Sequence, residues 1–363
     1  MKDSLNIIIA GGGTGGHLFP GIAIGDAFKA ENRHSQIVFV STGRPFETGV
    51  LSKAGYPHIR ITSEGLKGRG LRHQMIAMFK ILPGIWESIR IIKKFRPDMI
   101  IGVGGYSSGP VVIAAWLSGI PAVIHEQNTL PGITNRILSH FVRRIFISFE
   151  ITGTFFKSGK VILSGNPVRK TFFESGQKNT KDGSMAGRFI VLIAGGSQGA
   201  RGINNAMKEA SAHIKIKDKL FIIHQTGEQD KDEVERVYNS HNIAHIVRPF
   251  FHDMAHQYRL ADLVICRAGA TTIAEITVMG KAAVFIPFPF AADDHQTLNA
   301  RYLADAGAAR IIPESELNGR ILAETIEHFA SNPNLTADMA LNARHLSSPD
   351  AAQNIVNQCR NLV

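Results

Sequence analysis

Two glycine-rich segments, each directly after a run of mostly apolar residues, are the parts of this sequence best suited to chemistry. Gly11–Gly16 follows Leu5–Ala10, and Gly195–Ala200 follows Phe189–Ala194. Such a pattern predicts a buried strand that turns sharply into a helix. The N–H groups at a helix N-terminus lack partners and lie at the positive end of the helix dipole, so they favour a phosphate or a developing anion. Two such turns in two halves predict a phosphorylated ligand held between them.

A histidine directly follows the first glycine run. The imidazole of His17 can accept a hydroxyl proton at neutral pH, because an unperturbed histidine has a pKa of about 6.5. A histidine that only orients the loop is the alternative. His125 and Glu126 end another apolar run, Ala122–Ile124. His17 is therefore the first candidate for a general base, with His125 or Glu126 as alternatives.

Polar side chains in the second half suit a nucleotide sugar. Glu275 lies one turn into a predicted helix that follows the apolar run Leu263–Cys266. Its carboxylate could accept two hydrogen bonds, which suits the vicinal hydroxyls of a ribose; a solvent-facing carboxylate is the alternative. Gln296 and Asn299 are three residues apart and share one face of a predicted helix, as recognition of sugar hydroxyls would require.

Three other ligand classes fit less well. The first glycine run contains G-x-G-x-x-G, but an NAD site also needs an acidic residue after the second strand, and Val38–Thr42 ends without one. A P-loop needs Gly-Lys-Ser/Thr, where this chain has Gly15-Gly16-His17. The D-x-D at 230–232 could bind a metal ion, although the start of an acidic, solvated helix explains it better.

The net charge of +10 is confined to one part of the chain. Residues 1–165 hold 19 Lys and Arg against 9 Asp and Glu, whereas residues 166–363 hold 21 against 21. Nucleic acid or an anionic membrane surface could attract such a basic half. The absence of a basic surplus in the second half argues against nucleic acid.

A helical stripe of apolar side chains lies within the basic segment Gly65–Arg96. Such a stripe is often part of a core, but basic residues beside aromatic ones also suit a helix in the membrane interface. We expect membrane contact from Lys67, Arg69, Arg72, Met75, Phe79, Leu82 and Trp86.

The arrangement of apolar runs predicts two α/β domains, each a doubly wound parallel sheet. Near-continuous apolar runs alternate with amphipathic stretches, the first of which predicts a helix over Pro20–Ala30, and the alternation restarts at Phe189. We predict an N-terminal domain over 1–165, a C-terminal domain over 166–348, and a helix over 349–363 that could pack back on the first domain. No stretch reaches the roughly 18 apolar residues of a membrane span. We expect no signal peptide, and the two cysteines suggest no disulfide framework.

Six motifs occur together in an order that identifies a family. They are Gly12–His17 with Pro20, Gly104–Tyr106 with Ser108–Pro110, His125–Asn128, Gly165–Arg169, Gly195–Ala200, and His295-Gln296 with Asn299-Ala300. Over essentially its whole length the chain resembles the MurG family. These bacterial transferases add N-acetylglucosamine to undecaprenyl-diphospho-muramoyl-pentapeptide (lipid I), which gives lipid II.

The resemblance implies the GT-B fold, in which two Rossmann-like domains face a cleft, and it implies two ligand sites. The implied contacts to the donor, UDP-N-acetylglucosamine, are Thr14, Gly15, Gly16, Asn128, Arg169, Ser197, Gln198, Phe251, Ala270, Thr271, Thr272, Glu275, Gln296 and Asn299. The implied contacts to the diphosphate of the lipid acceptor are Gly13, Gly104, Gly105 and Tyr106.

The resemblance also implies an inverting transfer in peptidoglycan synthesis, and so a role in cell wall formation, cell shape and cell division. Backbone donors at Ser197–Ala200 or Thr271–Thr272 would stabilise the leaving diphosphate in the role that a metal ion has elsewhere. We therefore expect no cofactor and no essential metal ion. The implied location is peripheral, on the cytoplasmic face of the cell membrane. The expected partners are an anionic membrane surface and cell-wall synthesis proteins, with no nucleic acid.

Overall fold

The computed structural model describes residues 3–63, 71–174, 183–196 and 199–363; within these ranges the side chains of 71–81, 158 and 292 are not described. The chain divides into two compact units. The first unit is Met1–Lys170 with Ser348–Val363, and the second unit is Thr171–Ser347.

The first unit contains a seven-stranded parallel sheet. Its strands are β1 (Asn6–Ala10), β2 (Gln36–Ser41), β3 (His58–Arg60), β4 (Met99–Gly102), β5 (Ala122–Glu126), β6 (Arg144–Ile147) and β7 (Val161–Leu163). The helices that follow them are α1 (Gly15–Glu31), α2 (Pro45–Lys53), α3 (Leu71–Phe95), α4 (Ser108–Leu117) and α5 (Ile133–Leu138). The strand order β3-β2-β1-β4-β5-β6-β7 reverses direction between β1 and β4.

The second unit repeats this plan with six parallel strands. Its strands are β8 (Phe189–Ala194), β9 (Leu220–Gln225), β10 (Ala244–Arg248), β11 (Leu263–Cys266), β12 (Ala282–Phe285) and β13 (Arg310–Ile311). Its helices are α6 (Arg201–His213), α7 (Lys231–Ser240), α8 (Met254–Leu260), α9 (Ala270–Met279), α10 (His295–Ala304), α11 (Gly319–Ser331) and α12 (Pro333–His345). The order β10-β9-β8-β11-β12-β13 reverses direction between β8 and β11.

A last helix, α13 (Ala351–Arg360), belongs to the first unit, where it packs against α1. Ile355, Val356 and Cys359 are fully buried in the core of that unit. On the surface, the Arg360 guanidinium lies 2.7 Å from a carboxylate oxygen of Glu31.

Burial on both faces explains why the strands are nearly continuous apolar runs. Strands β4 and β11 are buried at every position, and β1 and β8 are buried at all but their first, because helices cover both sides of each parallel sheet. The predicted class, two doubly wound parallel-sheet α/β units, is confirmed. Ligands of such folds bind at the carboxyl ends of the strands, where the strand order reverses. The turns after β1 and β4, and those after β8 and β11, lie at these points.

The helix after β1 begins earlier than the sequence predicts. We expected it over Pro20–Ala30, whereas α1 begins at Gly15 and contains Pro20 in its second turn. Gly15 and Gly16 therefore lie in the first turn of the helix, which puts His17 on α1. Among the described residues, none of the helices combines the length and the apolar composition needed to cross a membrane.

Candidate active site

In the first unit, the turns after β1 and β4 lie against each other at the point where the strand order reverses. Gly105 has a φ of +79°, and a Cβ added there would clash with the carbonyl oxygen of Gly12. Only glycine permits both this left-handed backbone and this close approach. The two turns thus form one continuous backbone surface at the carboxyl edge of the sheet.

His17 projects from the first turn of α1 onto this surface. The side chain is half-buried, and its ring packs against Gly104, where an added Cβ would lie 2.7 Å from His17 Nδ1. His17 Nδ1 also lies 3.0 Å from the side-chain oxygen of Gln127. The histidine is held in place by a neighbour from the end of β5.

The hydrogen bonds around Gln127 assign the tautomer of His17. Gln127 Nε2 donates to the carbonyl oxygen of Val103 at 2.9 Å, and it lies 3.0 Å from His125 Nδ1. Because a carbonyl oxygen only accepts, the amide nitrogen of Gln127 must face Val103, and its oxygen must face His17. His17 therefore donates through Nδ1–H, which leaves Nε2 as the nitrogen with a free lone pair in the neutral ring.

His125 continues this chain inward. It is fully buried, burial lowers its pKa to about 4, and its Nε2 lies 3.1 Å from the carbonyl oxygen of Gly165. Its Nδ1 accepts from Gln127. The structure therefore argues against His125 as a base: both ring nitrogens already have partners, and the ring supports Gln127 instead.

The carboxylate oxygens of Glu126 are likewise occupied by hydrogen bonds within the protein. It is 2% exposed, and its two oxygens accept from the Asn128 N–H at 3.0 Å, the Gly132 N–H at 3.1 Å and Asn135 Nδ2 at 2.8 Å. These bonds hold the loop after β5. As with His125, the structure argues against Glu126 as the base.

Other predicted contacts in the first unit lie near the same edge. Thr14 and Gly16 are exposed at the start of α1, and Asn128 is half-buried. Tyr106 is 43% exposed, and the Arg44 guanidinium lies 5.9 Å from its ring. The Arg169 guanidinium lies 4.0 Å from the ring of Phe19 on α1, which is a cation–π contact.

Glu47 is a functional candidate that the sequence analysis missed. Its side chain is fully buried and accepts the backbone N–H of Gly13 at 2.5 Å and that of Arg44 at 3.0 Å. Burial raises the pKa of this carboxyl, but the hydrogen bonds from Gly13, Arg44, Thr42 and Ser41 outweigh burial and hold it below its ordinary value. The sequence signal was a proline at the helix start followed by an acid, which is typical of a capped α2.

The corresponding turn in the second unit is held by neutral groups. Gln225, at the end of β9 and 2% exposed, donates to the carbonyl oxygen of Gly196 at 2.8 Å and accepts the N–H of Phe251 at 2.9 Å. Gly199 has a φ of +76°, and a Cβ there would clash with the carbonyl oxygen of Thr226. Gln225 thus joins the glycine turn to the segment at Phe251, which the family resemblance implies is a donor contact.

A buried polar cluster supports this turn from behind. Asn204 donates to the carbonyl oxygen of Thr226 at 2.9 Å and to Asp230 at 2.7 Å, and its oxygen lies 3.0 Å from His224 Nε2. Burial lowers the pKa of His224 to about 3, and the Tyr238 hydroxyl lies 2.7 Å from its other nitrogen. Asp230, at the start of α7, therefore has a structural partner in Asn204.

The predicted donor residues on α9 and α10 differ in exposure. Ala270, Thr271 and Glu275 are 6–7% exposed, and Thr272 is half-buried. Burial, and secondly the Glu275 carboxylate, raise the pKa of the Cys266 thiol. Glu275 lies in the second turn of α9, the helix that follows β11.

Gln296 and Asn299, which are predicted to recognise sugar hydroxyls, lie at different depths on α10. Asn299 is fully buried, and its Nδ2 donates to the carbonyl oxygen of Ala268 at 3.2 Å. Gln296 is half-buried and accepts the N–H of Phe288 at 3.0 Å. Residues on one helix face can thus differ in how deeply they are buried. Asn299 supports the loop after β11.

Arg267 was also missed. Its guanidinium donates to the carbonyl oxygens of Ile286 and Pro287, both at 3.1 Å, and pairs with Glu314. It lies 5.3 Å from the ring of Phe288. Arg267 therefore fixes the segment that leads to α10.

Several predicted residues cannot be placed. Ser197, Gln198, Lys67 and Arg69 lie outside the described residues, and the side chains of Arg72, Met75 and Phe79 on α3 are not described. Leu82 and Trp86 are described and are 59% and 54% exposed. In the described ranges, no group of three or more His, Cys, Asp or Glu side chains could hold a metal ion.

Comparisons with known proteins show the family to which the chain belongs. Residues 7–147 match the glycosyltransferase family 28 N-terminal domain, and residues 190–355 match the glycosyltransferase family 28 C-terminal domain. A protein of Syntrophus aciditrophicus is 47% identical over 361 residues, or 99% of both chains. A protein of Myxococcus xanthus is 46% identical, with 99% of this chain and 93% of that protein covered. Both are called UDP-N-acetylglucosamine--N-acetylmuramyl-(pentapeptide) pyrophosphoryl-undecaprenol N-acetylglucosamine transferase.

A crystal structure of MurG from Acinetobacter baumannii matches with a TM-score of 0.77 and 33% identity, and the match covers 98% of this chain and 99% of that one. The predicted GT-B fold of two Rossmann-like domains is thereby confirmed, and so is the resemblance drawn from the six motifs. The chain belongs to glycosyltransferase family 28 and, within it, to the MurG family.

Proposed function

We propose that this protein is an inverting glycosyltransferase that moves N-acetylglucosamine from UDP-N-acetylglucosamine to the C4 hydroxyl of undecaprenyl-diphospho-muramoyl-pentapeptide. The product is the lipid-linked disaccharide of peptidoglycan synthesis. The observation that carries this proposal is the 47% identity, over 99% of both chains, to a protein with this activity in its name. The hydrogen-bonded His17 supplies the chemistry that such a transfer needs.

His17 is the proposed general base. The C4 hydroxyl oxygen forms a bond to the anomeric carbon of the donor while the bond from that carbon to the diphosphate oxygen breaks. The hydroxyl proton passes to His17 Nε2, the nitrogen left free by the bond from Nδ1 to Gln127. A single displacement of this kind inverts the anomeric configuration, and UDP leaves with the bonding electrons.

The second unit is the proposed site of the UDP group. Negative charge grows on the leaving diphosphate, and backbone N–H groups at the Gly195–Ala200 turn and at the start of α9 would stabilise it. Glu275 would accept the ribose hydroxyls. The Phe251 N–H is already donated to Gln225, so that the carbonyl oxygen of this segment is the group offered to the uracil N–H.

The first unit is the proposed site of the acceptor diphosphate. Gly104, Gly105 and Tyr106 line the backbone surface beside His17. The N–H of Gly13 is donated to Glu47, so Gly13 would contribute shape and not a hydrogen bond. The exposed Arg44 beside Tyr106 offers a positive charge.

A peripheral position on the cytoplasmic face of the cell membrane completes the proposal. Leu82 and Trp86 are exposed on α3, and the Arg90 guanidinium lies 3.1 Å from the Trp86 ring. An exposed aromatic side chain with a basic partner suits an interface with anionic lipid.

The test is transfer from UDP-N-acetylglucosamine to a water-soluble lipid I analogue, with the anomeric configuration of the product read by NMR. We expect a β-linked product and preference for this donor over the galactosamine and glucose analogues. An α-linked product would reject the inverting mechanism, and equal use of the three donors would reject the proposed substrate.

A further inference from the structure

The carboxylate of Glu47 lies directly beneath the glycine turn that carries His17. One oxygen accepts the Gly13 N–H, the other accepts the Arg44 N–H, and the Thr42 hydroxyl lies 3.0 Å from both. On the neighbouring residue, a Cβ added at Gly12 would clash with the same carboxylate. The side chain is therefore in contact with two successive residues of the turn.

The donors around Glu47 call for a charged carboxylate and not an amide. The side chain is fully buried, and a buried anion is stable only when its oxygens are satisfied by hydrogen bonds or by a cation. In an isosteric glutamine, the NH₂ group would face either the Gly13 N–H or the Arg44 N–H. Two hydrogen-bond donors would then face each other with no acceptor between them. Shape alone cannot replace this side chain.

Contacts lead from Glu47 to the proposed base. Gly13 has a φ of +90°, a left-handed conformation that the bond to Glu47 fixes. On its other side the turn packs against Gly105, and the ring of His17 packs against Gly104. A shift of the turn would therefore move the base and the surface proposed for the acceptor together.

We propose that Glu47 is a positioning residue for glycosyl transfer: its buried carboxylate holds the Gly12–Gly13 turn so that His17 faces the acceptor hydroxyl. Glu47 does not touch substrate in this role. The inference rests on the proposed function, and it adds a residue outside the six motifs that define the family resemblance.

The test compares Glu47→Gln with Asp98→Asn. Asp98 accepts the N–H of Asn6 at 2.9 Å, so it bonds to the backbone at the opposite end of the same strand, β1. Misplacement of reacting groups by about 1 Å can lower a rate roughly 100-fold, and we expect a loss of about that size in kcat for Glu47→Gln. We expect Asp98→Asn to keep the wild-type kcat, and both variants to keep the wild-type Kd for UDP.

A similar kcat loss in both variants would mean that general stability is responsible and would overturn the proposal. If Glu47→Gln does not fold, Glu47→Asp keeps the charge but shortens the side chain, and we expect a lower kcat in the folded protein. A folded variant of either kind with wild-type kcat also overturns the proposal. Absence of transfer by the wild-type protein would instead reject the proposed function, because the comparison of variants is made relative to wild-type activity.

Discussion

The glycine turns of the two units occupy equivalent places in their sheets but are built differently. Each follows the first strand of its unit, at the point where the strand order reverses. In the first unit the turn is held by the anion of Glu47 and leads to His17, whereas in the second unit it is held by the neutral side chain of Gln225. We propose that proton transfer belongs to the first unit and stabilisation of the leaving nucleotide to the second.

The same contrast extends to charge. All of the surplus of positive charge lies in residues 1–165, and residues 166–363 are balanced. A lipid-linked acceptor at an anionic surface would meet the basic unit, and a soluble nucleotide sugar needs no such attraction. Four substitutions or titrations, ordered by expected effect, test how far this division holds.

The largest effect is expected from His17→Ala. Removal of a general base typically costs 10²–10⁴-fold in rate, so kcat should fall within about that range while the Kd for UDP stays unchanged. Steady-state kinetics and calorimetry measure the two quantities. His34→Ala, at an exposed histidine of the first unit, is the control and should keep wild-type kcat. Weaker UDP binding with a normal kcat in His17→Ala would place His17 in the donor site instead.

Stability should fall in acid because each unit buries a neutral histidine. The pKa of His125 is lowered to about 4 and that of His224 to about 3, against about 6.5 in the unfolded chain. Below pH 6.5 the two histidines are therefore protonated in the unfolded chain but remain neutral in the folded chain. As the pH falls, each histidine lowers the free energy of unfolding by about 1.4 kcal/mol per pH unit until the pH reaches its folded pKa.

Denaturant unfolding between pH 7 and pH 4.5 measures this dependence. His224→Gln should make it shallower, whatever the variant costs at pH 7. An unchanged slope in His224→Gln would contradict a neutral, buried His224.

Glu275→Ala tests the second unit. Loss of a hydrogen bond to a charged group costs about 1.5–3 kcal/mol, so calorimetry should show UDP binding weakened by roughly that amount. The comparison with His17→Ala is the informative one, because that change should spare UDP binding. Unchanged UDP affinity in Glu275→Ala would remove the ribose assignment.

The smallest effect is expected from Arg90→Gln. A basic residue near an anionic membrane contributes about 1 kcal/mol, so sedimentation with anionic vesicles at low salt should fall by roughly five-fold. Arg301→Gln, at an exposed arginine on α10 of the second unit, should leave sedimentation unchanged. Equal losses in both variants would argue for attraction by net charge alone and against a membrane face on the first unit.

Periodicity predicted most of the fold because strands buried on both faces and amphipathic helices have distinct patterns. The turns after β1, β8 and β11 were located, since glycines and polar residues interrupt those patterns. The start of α1 was wrong because proline is usually found at the first helical position, whereas Pro20 lies in the second turn.

The roles of single polar residues were harder to predict, because they depend on contacts between distant segments. Glu47 resembles any surface acid until the fold brings it to Gly13, which is 34 residues away. His125 and Glu126 were candidate bases at the end of an apolar run, yet both are buried and hydrogen-bonded there. Asn299 shares a helix face with Gln296 but lies deeper. The sequence shows which residues lie at the edge of a sheet. The structure shows which of their side chains are already hydrogen-bonded within the protein.

The return of α13 to the first unit has a consequence for biosynthesis. A ribosome makes residues 171–347 before residues 348–363, so the second unit can be complete while the first still lacks a helix that packs against α1. The unit that starts to emerge first is therefore finished after the second one, and the apolar side of α1 that α13 will cover stays uncovered until residues 351–360 have been made.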